Sequence, residues 1–354
     1  MAVRTSLPDW PAFGLADDVR PALRAAQAAG SPAALATLVA VEGGGPRPVG
    51  TQMVFASGIV AGYFSGGCVE ADIADHALAC LADGVPRTLV YGAGSPWPDI
   101  RLLCGARIEI FVERIGPDDP ALAELLAADD SRRMTTWISD GRTRACAAEL
   151  EPWPEAALVR RYAPAERLVV VGGDPTAMAI AALGAQVGLA TFLVRPKGPA
   201  EPPPLAGVGY RREDPAEALS AIGLDPWTAV AIASHDPETD HAALLTALPS
   251  GSGYVGLLGA RVRLPERKDR LRAAGVSERA LARLHAPIGL DIGGKAPWEV
   301  ALAVIAEICA LRYARESGST STSSPAGAAG APGGRRSRAS AAAKTLTSDE
   351  SWSR

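Results

Sequence analysis

Cysteine is scarce in this sequence, five residues in 354, and no two form a CxxC pair. An odd count at wide spacing argues against a disulfide framework and against a structural zinc knuckle. Aromatic residues make up only 5%. There is no basic excess: the net charge is −4, so nothing draws the chain to nucleic acid. The opening residues, "MAVRTSLPDWPAFGLADDV", lack the apolar centre of a signal peptide, and no apolar run is long enough to cross a bilayer. The expectation is a cytoplasmic protein with no nucleic-acid and no membrane partner.

What the chain has is apolar mass. Hydrophobic residues reach 48%, ample for cores, and the length suggests two domains. Residues 17–29 read as a helix stopped at Gly30, and 33–43 as β-like. "GGGPRPVG" (43–50) is a stiff loop. A hairpin around "ASG" follows, then a helix over 69–83 ending at Gly84. "RTLVYG" and "ARIEIFVERI" read as strands, and 117–163 as a short helix with the strands "MTTWIS" and "RACAAEL". From Arg167 strands alternate with helices: "RLVVVGG", a helix over 175–188, "ATFLV", "TAVAIAS", a helix at "HAALLTALP", "GYVGLLG", then helices at 264–274, 277–284 and 297–313. That alternation predicts a parallel, doubly wound sheet. The fold class is α/β, with a strand-rich domain over 1–163 and a Rossmann-like domain over 164–315. The Ser, Thr, Gly and Ala-rich stretch over 316–354 cannot bury a core and is expected to be disordered.

"YFSGGCVEADIADHAL" (63–78) places Cys68 after Gly66 and Gly67, where a strand becomes a helix. Free N–H groups and the dipole at a helix start favour negative charge, so a thiol there is expected to be partly thiolate. The two glycines allow a sharp turn and close approach of a ligand. Glu70 and Asp72 suit the dipole but oppose thiolate formation. The alternative is a small apolar residue packed under the turn. Cys80 and Cys309 fall at core spacing on helices. Cys146 carries no signal, and Cys104, before a glycine and a strand, favours structure when taken alone. Arg47, stiffened between two prolines, is suited to gripping an anion, or is simply an exposed loop residue.

"VVVGGDPTAMAIA" (169–181) begins like a dinucleotide loop but places Asp174 where G-x-G-x-x-G requires its second glycine, after Gly172 and Gly173. The next strand ends in Arg195 rather than the acid that would hold a ribose hydroxyl. NAD(P) binding is therefore doubtful. "ASHDPETDH" (233–241) follows a strand end, where such sheets hold ligands. His235, Asp236, Asp240 and His241 could bind a metal or move a proton. Asp236 before Pro237 also reads as an ordinary helix start, and His241 as solvent-facing.

Several of these segments match one family in order. "GGGPRPVG", "SGGCVEADIADHAL" and "LLCGARIEIFVE" resemble the N-terminal domain of the XdhC/CoxI family. "ASHDPETDHAALLTAL", "GYVGLLGARVR" and "LARLHAPIGLDIGGKAPWEVALAVIAEI" resemble its C-terminal Rossmann domain, for a span of roughly 17–313. The resemblance implies a chaperone rather than an enzyme. Such a protein binds molybdenum cofactor, holds it while a terminal sulfur is added, and passes it to a xanthine dehydrogenase, aldehyde oxidoreductase or carbon monoxide dehydrogenase-type hydroxylase. The partners implied are the hydroxylase large subunit and a cysteine desulfurase, with a homodimer left open. The family's two cysteines fall on Cys68, a candidate molybdenum contact, and Cys104; its proline-arginine loop falls on Arg47. Gly66, Gly67 and Glu70 complete the first candidate site, and Gly172, Gly173, Asp174, His235 and Asp236 the second. Departures are Gly172-Gly173-Asp174-Pro175 in place of G-A-G-H, Ala106 in place of glycine and Ala260 in place of serine. They weaken nucleotide binding more than the cysteine chemistry. The alternatives are an NAD(P)-dependent oxidoreductase and a thiol redox protein using Cys68 and Cys104.

Overall fold

A computed structural model describes residues 7–45, 47–95, 102, 104–148 and 158–319. Met1–Leu311 form one compact unit and Arg312–Arg354 a second. The first unit holds all three sheets.

The front sheet has five antiparallel strands: β1 (Ala33–Glu42), β2 (Gln52–Ala56), β3 (Ile59–Gly62), β4 (Arg87–Tyr91) and β5 (Arg107–Ile115), in the order β3-β2-β1-β5-β4. Side chains alternate faces along a strand, so β1 feeds two cores. Ala34, Ala36 and Leu38 pack with Ile73, Ala77 and Cys80 of α2 (Glu70–Asp83). Ala33 and Leu35 pack instead with α1 (Arg20–Ala28) and α3 (Pro120–Asp130). A three-stranded sheet of β6 (Thr135–Ser139), β7 (Arg144–Ala147) and β8 (Leu158–Tyr162) joins that second core through Trp137 and Tyr162. The expected strand "RACAAEL" ends at Ala147; residues 149–150 lie outside those described. β8 is absent from the sequence reading because "LVRRY" is short and rich in arginine.

The rear sheet is parallel: β9 (Arg167–Gly172), β10 (Ala190–Val194), β11 (Val208–Arg211), β12 (Thr228–Ala233), β13 (Tyr254–Leu257) and β14 (Leu284–His285), in the order β11-β10-β9-β12-β13-β14. Helices cover both faces, as continuous apolar strands require. Leu168 and Val170 face α4 (Pro175–Gln186) and α9 (Pro297–Ser319). Val169 and Val171 face α5 (Pro215–Ile222), α6 (Pro237–Ala247), α7 (Leu264–Ala273) and α8 (Glu278–Leu281). The chain winds outward from β9 in one direction and from β12 in the other, so the switch point lies between these two strands. The helix expected over 277–284 is shorter, Glu278–Leu281, and Leu284, its expected last residue, extends with His285 and pairs with β13 instead. The helix expected over 297–313 runs on to Ser319; residues 320–354, expected to be disordered, lie outside those described. Among the described residues no helix is long and apolar enough to cross a membrane.

A charged clamp ties the front layers to the rear sheet. Arg132, after α3, grips Asp225, before β12, through Nε at 2.6 Å, and reaches the Ala165 carbonyl at 2.9 Å. Burial opposes the Asp225 charge, but hydrogen bonds from Arg132 and Thr228 outweigh it and hold the carboxyl below its ordinary value. A carboxyl depressed by folding stabilises above its unfolded value and ceases to as pH falls through the folded one. Asp225→Asn is thus expected to cost about 1–2 kcal/mol at pH 7, with the gap closing below about pH 4. Denaturant titrations at several pH values check this; a gap that does not narrow as the pH falls contradicts it.

Candidate functional site

The predicted site residues fall into two groups on two sheets. Cys68, Cys104, Arg47, Gly66, Gly67 and Glu70 lie on connections that leave one end of the front sheet. The registers show this: Glu42 ends β1 opposite Arg107, Gly62 ends β3 opposite Met53, and Tyr91 ends β4 opposite Ile108. The chain therefore leaves the sheet after Glu42, Gly62 and Tyr91 at the same end. A Cβ on Gly43 would lie 3.6 Å from Ala106 Cα, so the roots of the Arg47 and Cys104 connections adjoin where β1 and β5 end. Phe64, Val69, Leu102 and Ala106 belong to one buried cluster, which forms a common floor under both cysteine loops. Cys68 and Cys104 are both exposed above it. Cys104 is thus no core residue. Cys80 is fully buried, and Cys146 donates to the Ala121 carbonyl at 3.2 Å, its thiol pushed up to about 12 by burial.

Glu70 is the organiser of the Cys68 loop. Its side chain is buried, at 2% exposure, and its carboxylate accepts from the backbone N–H groups of Phe64 (3.0 Å), Ser65 (2.6 Å), Gly67 (2.9 Å) and Val69 (3.3 Å), and from the Ser65 hydroxyl (2.8 Å). The Cys68 N–H donates to Ser65 Oγ at 3.1 Å. Such a ring of amides needs an unusual backbone, and Gly66 (φ 122°) and Gly67 (φ 94°) supply it. The sequence places these amides at the Cys68 sulfur; they converge on an internal carboxylate instead. Glu70 accordingly holds the loop from beneath. Beside it, Tyr91 donates to Asp72 at 2.6 Å and joins the first turn of α2 to the end of β4. Arg47 pairs with Asp17, and its Nε is buried with no hydrogen-bond partner among the described residues.

Gly172, Gly173, Asp174, His235 and Asp236 sit at the carboxyl ends of β9 and β12, on either side of the switch point. Gly172 is required there: a Cβ would lie 2.3 Å from the Ala233 carbonyl. The Arg195 side chain lies across Gly173, whose Cβ would fall 2.4 Å from Arg195 Nε. Asp174 caps α4 by accepting from Ala177 N at 2.8 Å, and its second oxygen meets His235 Nε2 at 2.9 Å. The place a pyrophosphate would take thus carries a carboxylate and a guanidinium. Titration with NADH and NADPH is expected to show no saturable binding up to about 1 mM; micromolar affinity would restore the oxidoreductase reading.

The proposed metal cluster at "HDPETDH" does not form. Asp236 caps α6 through Glu238 N and Thr239 N. Asp240 is buried, bonded to Ser234 Oγ at 2.6 Å and Arg267 at 2.7 Å. His241, expected in solvent, is half-buried and lines a cleft against α7. Among the described residues no group of three or more histidines, cysteines and acids could hold a metal ion. Sequence reasoning missed the arginines of that cleft, although the density of basic residues in "RVRLPERKDRLR" was a signal.

Residues 168–308 match the model of the XdhC Rossmann domain, and residues 26–92 that of the XdhC and CoxI family. The chain is 30% identical over 312 residues to the molybdenum cofactor insertion chaperone PaoD of Escherichia coli, covering 86% of this chain and 92% of that one. It is 27% identical over 285 residues to YqeB of the same organism, covering 79% of this chain and 44% of that one. A crystal structure described as a xanthine dehydrogenase from Bacillus halodurans superposes with a TM-score of 0.68 at 22% identity, covering 84% of this chain and 96% of that one. That likeness is one of fold.

Proposed function

Because the chain belongs to the XdhC and CoxI family, we propose that it is an accessory chaperone that binds molybdenum cofactor and delivers it, after sulfuration, to a hydroxylase of the xanthine dehydrogenase type. The observation that carries this reading is the exposure of Cys68 on a loop fixed from below by Glu70, with exposed Cys104 above the same buried floor. Molybdenum is thiophilic, and soft sulfur ligands suit it. The cargo also carries a phosphate, which needs donors; Arg47, with an unpartnered buried Nε, is placed on the adjoining loop to give one.

In this reading residues 1–163 carry the cargo and 164–315 form the Rossmann domain. Cys68 is the molybdenum contact, and Cys104 guards the same mouth. The protein acts in the cytoplasm by holding and handing over, without turnover of its own. Its partners are the hydroxylase large subunit and a cysteine desulfurase that supplies the sulfur. Incubation of the purified protein with molybdenum cofactor, followed by gel filtration, should give a complex that restores activity to an apo-hydroxylase. A protein that retains no pterin, or activates no better than free cofactor, does not have this role.

A further inference from the structure

The cleft between α6 and α7 lies in the Rossmann layer, away from the cysteine loops in sequence and on a different sheet. From α6, Pro237, His241 and Leu244 line it, four and three residues apart and so on one helical face. Arg263, Arg267 and Arg270 line the opposite wall. Arg261 borders a hollow of about 10 Å³ that shares Arg267 with the cleft. Two of these arginines are already anchored: Arg267 to buried Asp240 at 2.7 Å, and Arg270 to Glu238 at 2.8 and 2.5 Å. The side chains of Arg261 and Arg263 make no hydrogen bond or ion pair among the described residues, and both residues are exposed. The cleft's three arginines are balanced by Asp240, Glu238 and Glu266, and Arg261 at the adjoining hollow adds one positive charge to the two hollows taken together.

We propose that this cleft and the hollow beside it form an anion site for a phosphate or diphosphate group, gripped by Arg263 in the cleft and Arg261 at the hollow against a wall prepositioned by Arg267 and Arg270. Planar guanidiniums match phosphate oxygens in pairs, and anchored ones lose little freedom on binding. The cleft volume, about 220 Å³, is below the roughly 300–1,000 Å³ of pockets that enclose a whole small molecule. It therefore takes the charged head of a phosphate compound and leaves the remainder outside. His241 adds a marker. Burial, then Arg270, disfavours its charged form, with Glu238 opposing them. The groups facing it are Glu238 and Asp240 on α6 and Arg263, Glu266, Arg267 and Arg270 on the other wall. An anion placed among them favours protonation, so binding takes up a proton and tightens as pH falls.

Calorimetry on the full chain, with inorganic pyrophosphate and separately with a nucleoside diphosphate, tests this. The expected dissociation constant is on the order of 100 µM at low salt, weakening as salt rises. The double variant Arg261→Glu/Arg263→Glu should lose at least about tenfold in affinity while keeping its circular dichroism spectrum. Native protein in two buffers of different ionisation enthalpy should show proton uptake that His241→Asn abolishes. Tighter binding of pyrophosphate marks a free inorganic anion as the source, and tighter binding of the nucleotide an organic phosphate; either supports the site. No heat with either ligand up to 1 mM, or equal affinity in the double variant, overturns it. Cys68→Ala should bind pyrophosphate normally, so failure of the cargo reading and failure of this site are separable.

Discussion

Glu70→Ala should cost about 3 kcal/mol of stability and abolish cargo retention as well. The carboxylate accepts from four backbone N–H groups and one hydroxyl, and Phe64 and Val69, two of the residues donating to it, are buried. Removing it leaves those donors without a partner, and each such loss costs about 1–3 kcal/mol before water and loop movement recover part of it. Glu70→Gln should fall between: one oxygen remains an acceptor, but an amide NH₂ then faces N–H groups. Denaturant midpoints measure the stability. Amide exchange over 63–70 should rise by more than tenfold in the alanine variant while the rear sheet stays protected. An alanine variant as stable as the native protein would mean that the loop does not depend on this carboxylate.

Cys68→Ala should leave stability within about 0.5 kcal/mol of native, because the side chain is exposed and bonds nothing beneath it. Retention of molybdenum cofactor should nevertheless fall by about 100-fold, the scale on which a lost ligand or its support acts at a metal. The measurement is the molybdenum-to-protein ratio after gel filtration, with pterin fluorescence as a second readout. Cys68→Ser preserves the shape and should fail equally, since a hydroxyl is a poor ligand for a soft metal centre. Cys104→Ala should weaken retention less. Full occupancy in Cys68→Ala would remove the thiol from the site. The contrast between the two positions is the informative part: Glu70 acts through the fold and Cys68 through the cargo.

Much of the architecture was legible because it rests on local pattern. The apolar run "AALATLVAVE" reads as β-like, and the structure makes it β1 and divides its residues between two cores. The runs "RLVVVG" and "TAVAIA" mark strands buried on both sides, and helices cover both faces of their sheet. β11 and α5 were not legible: "VGYR" is four residues containing a glycine, and "PAEALSAI" is too short for periodicity to separate it from a loop.

The sequence by itself determined the α/β class, the parallel winding of the rear sheet, and the glycine turn that carries Cys68; that the thiol is exposed there came from the structure. Each of the first three follows from neighbouring residues: period-two and period-3.6 patterns, and glycines that permit positive φ. Only the tertiary structure decided which groups the turn's amides face. Their acceptor is a buried side chain on the following helix and not the sulfur beside them. The same holds for Arg195 across Gly173, and for the arginine wall set against His241 by ion pairs spanning 27 and 32 residues. The last two join residues remote in sequence, which no local pattern encodes; Glu70 is a near neighbour of its donors, and there it is the folded direction of one side chain that residue types alone do not give.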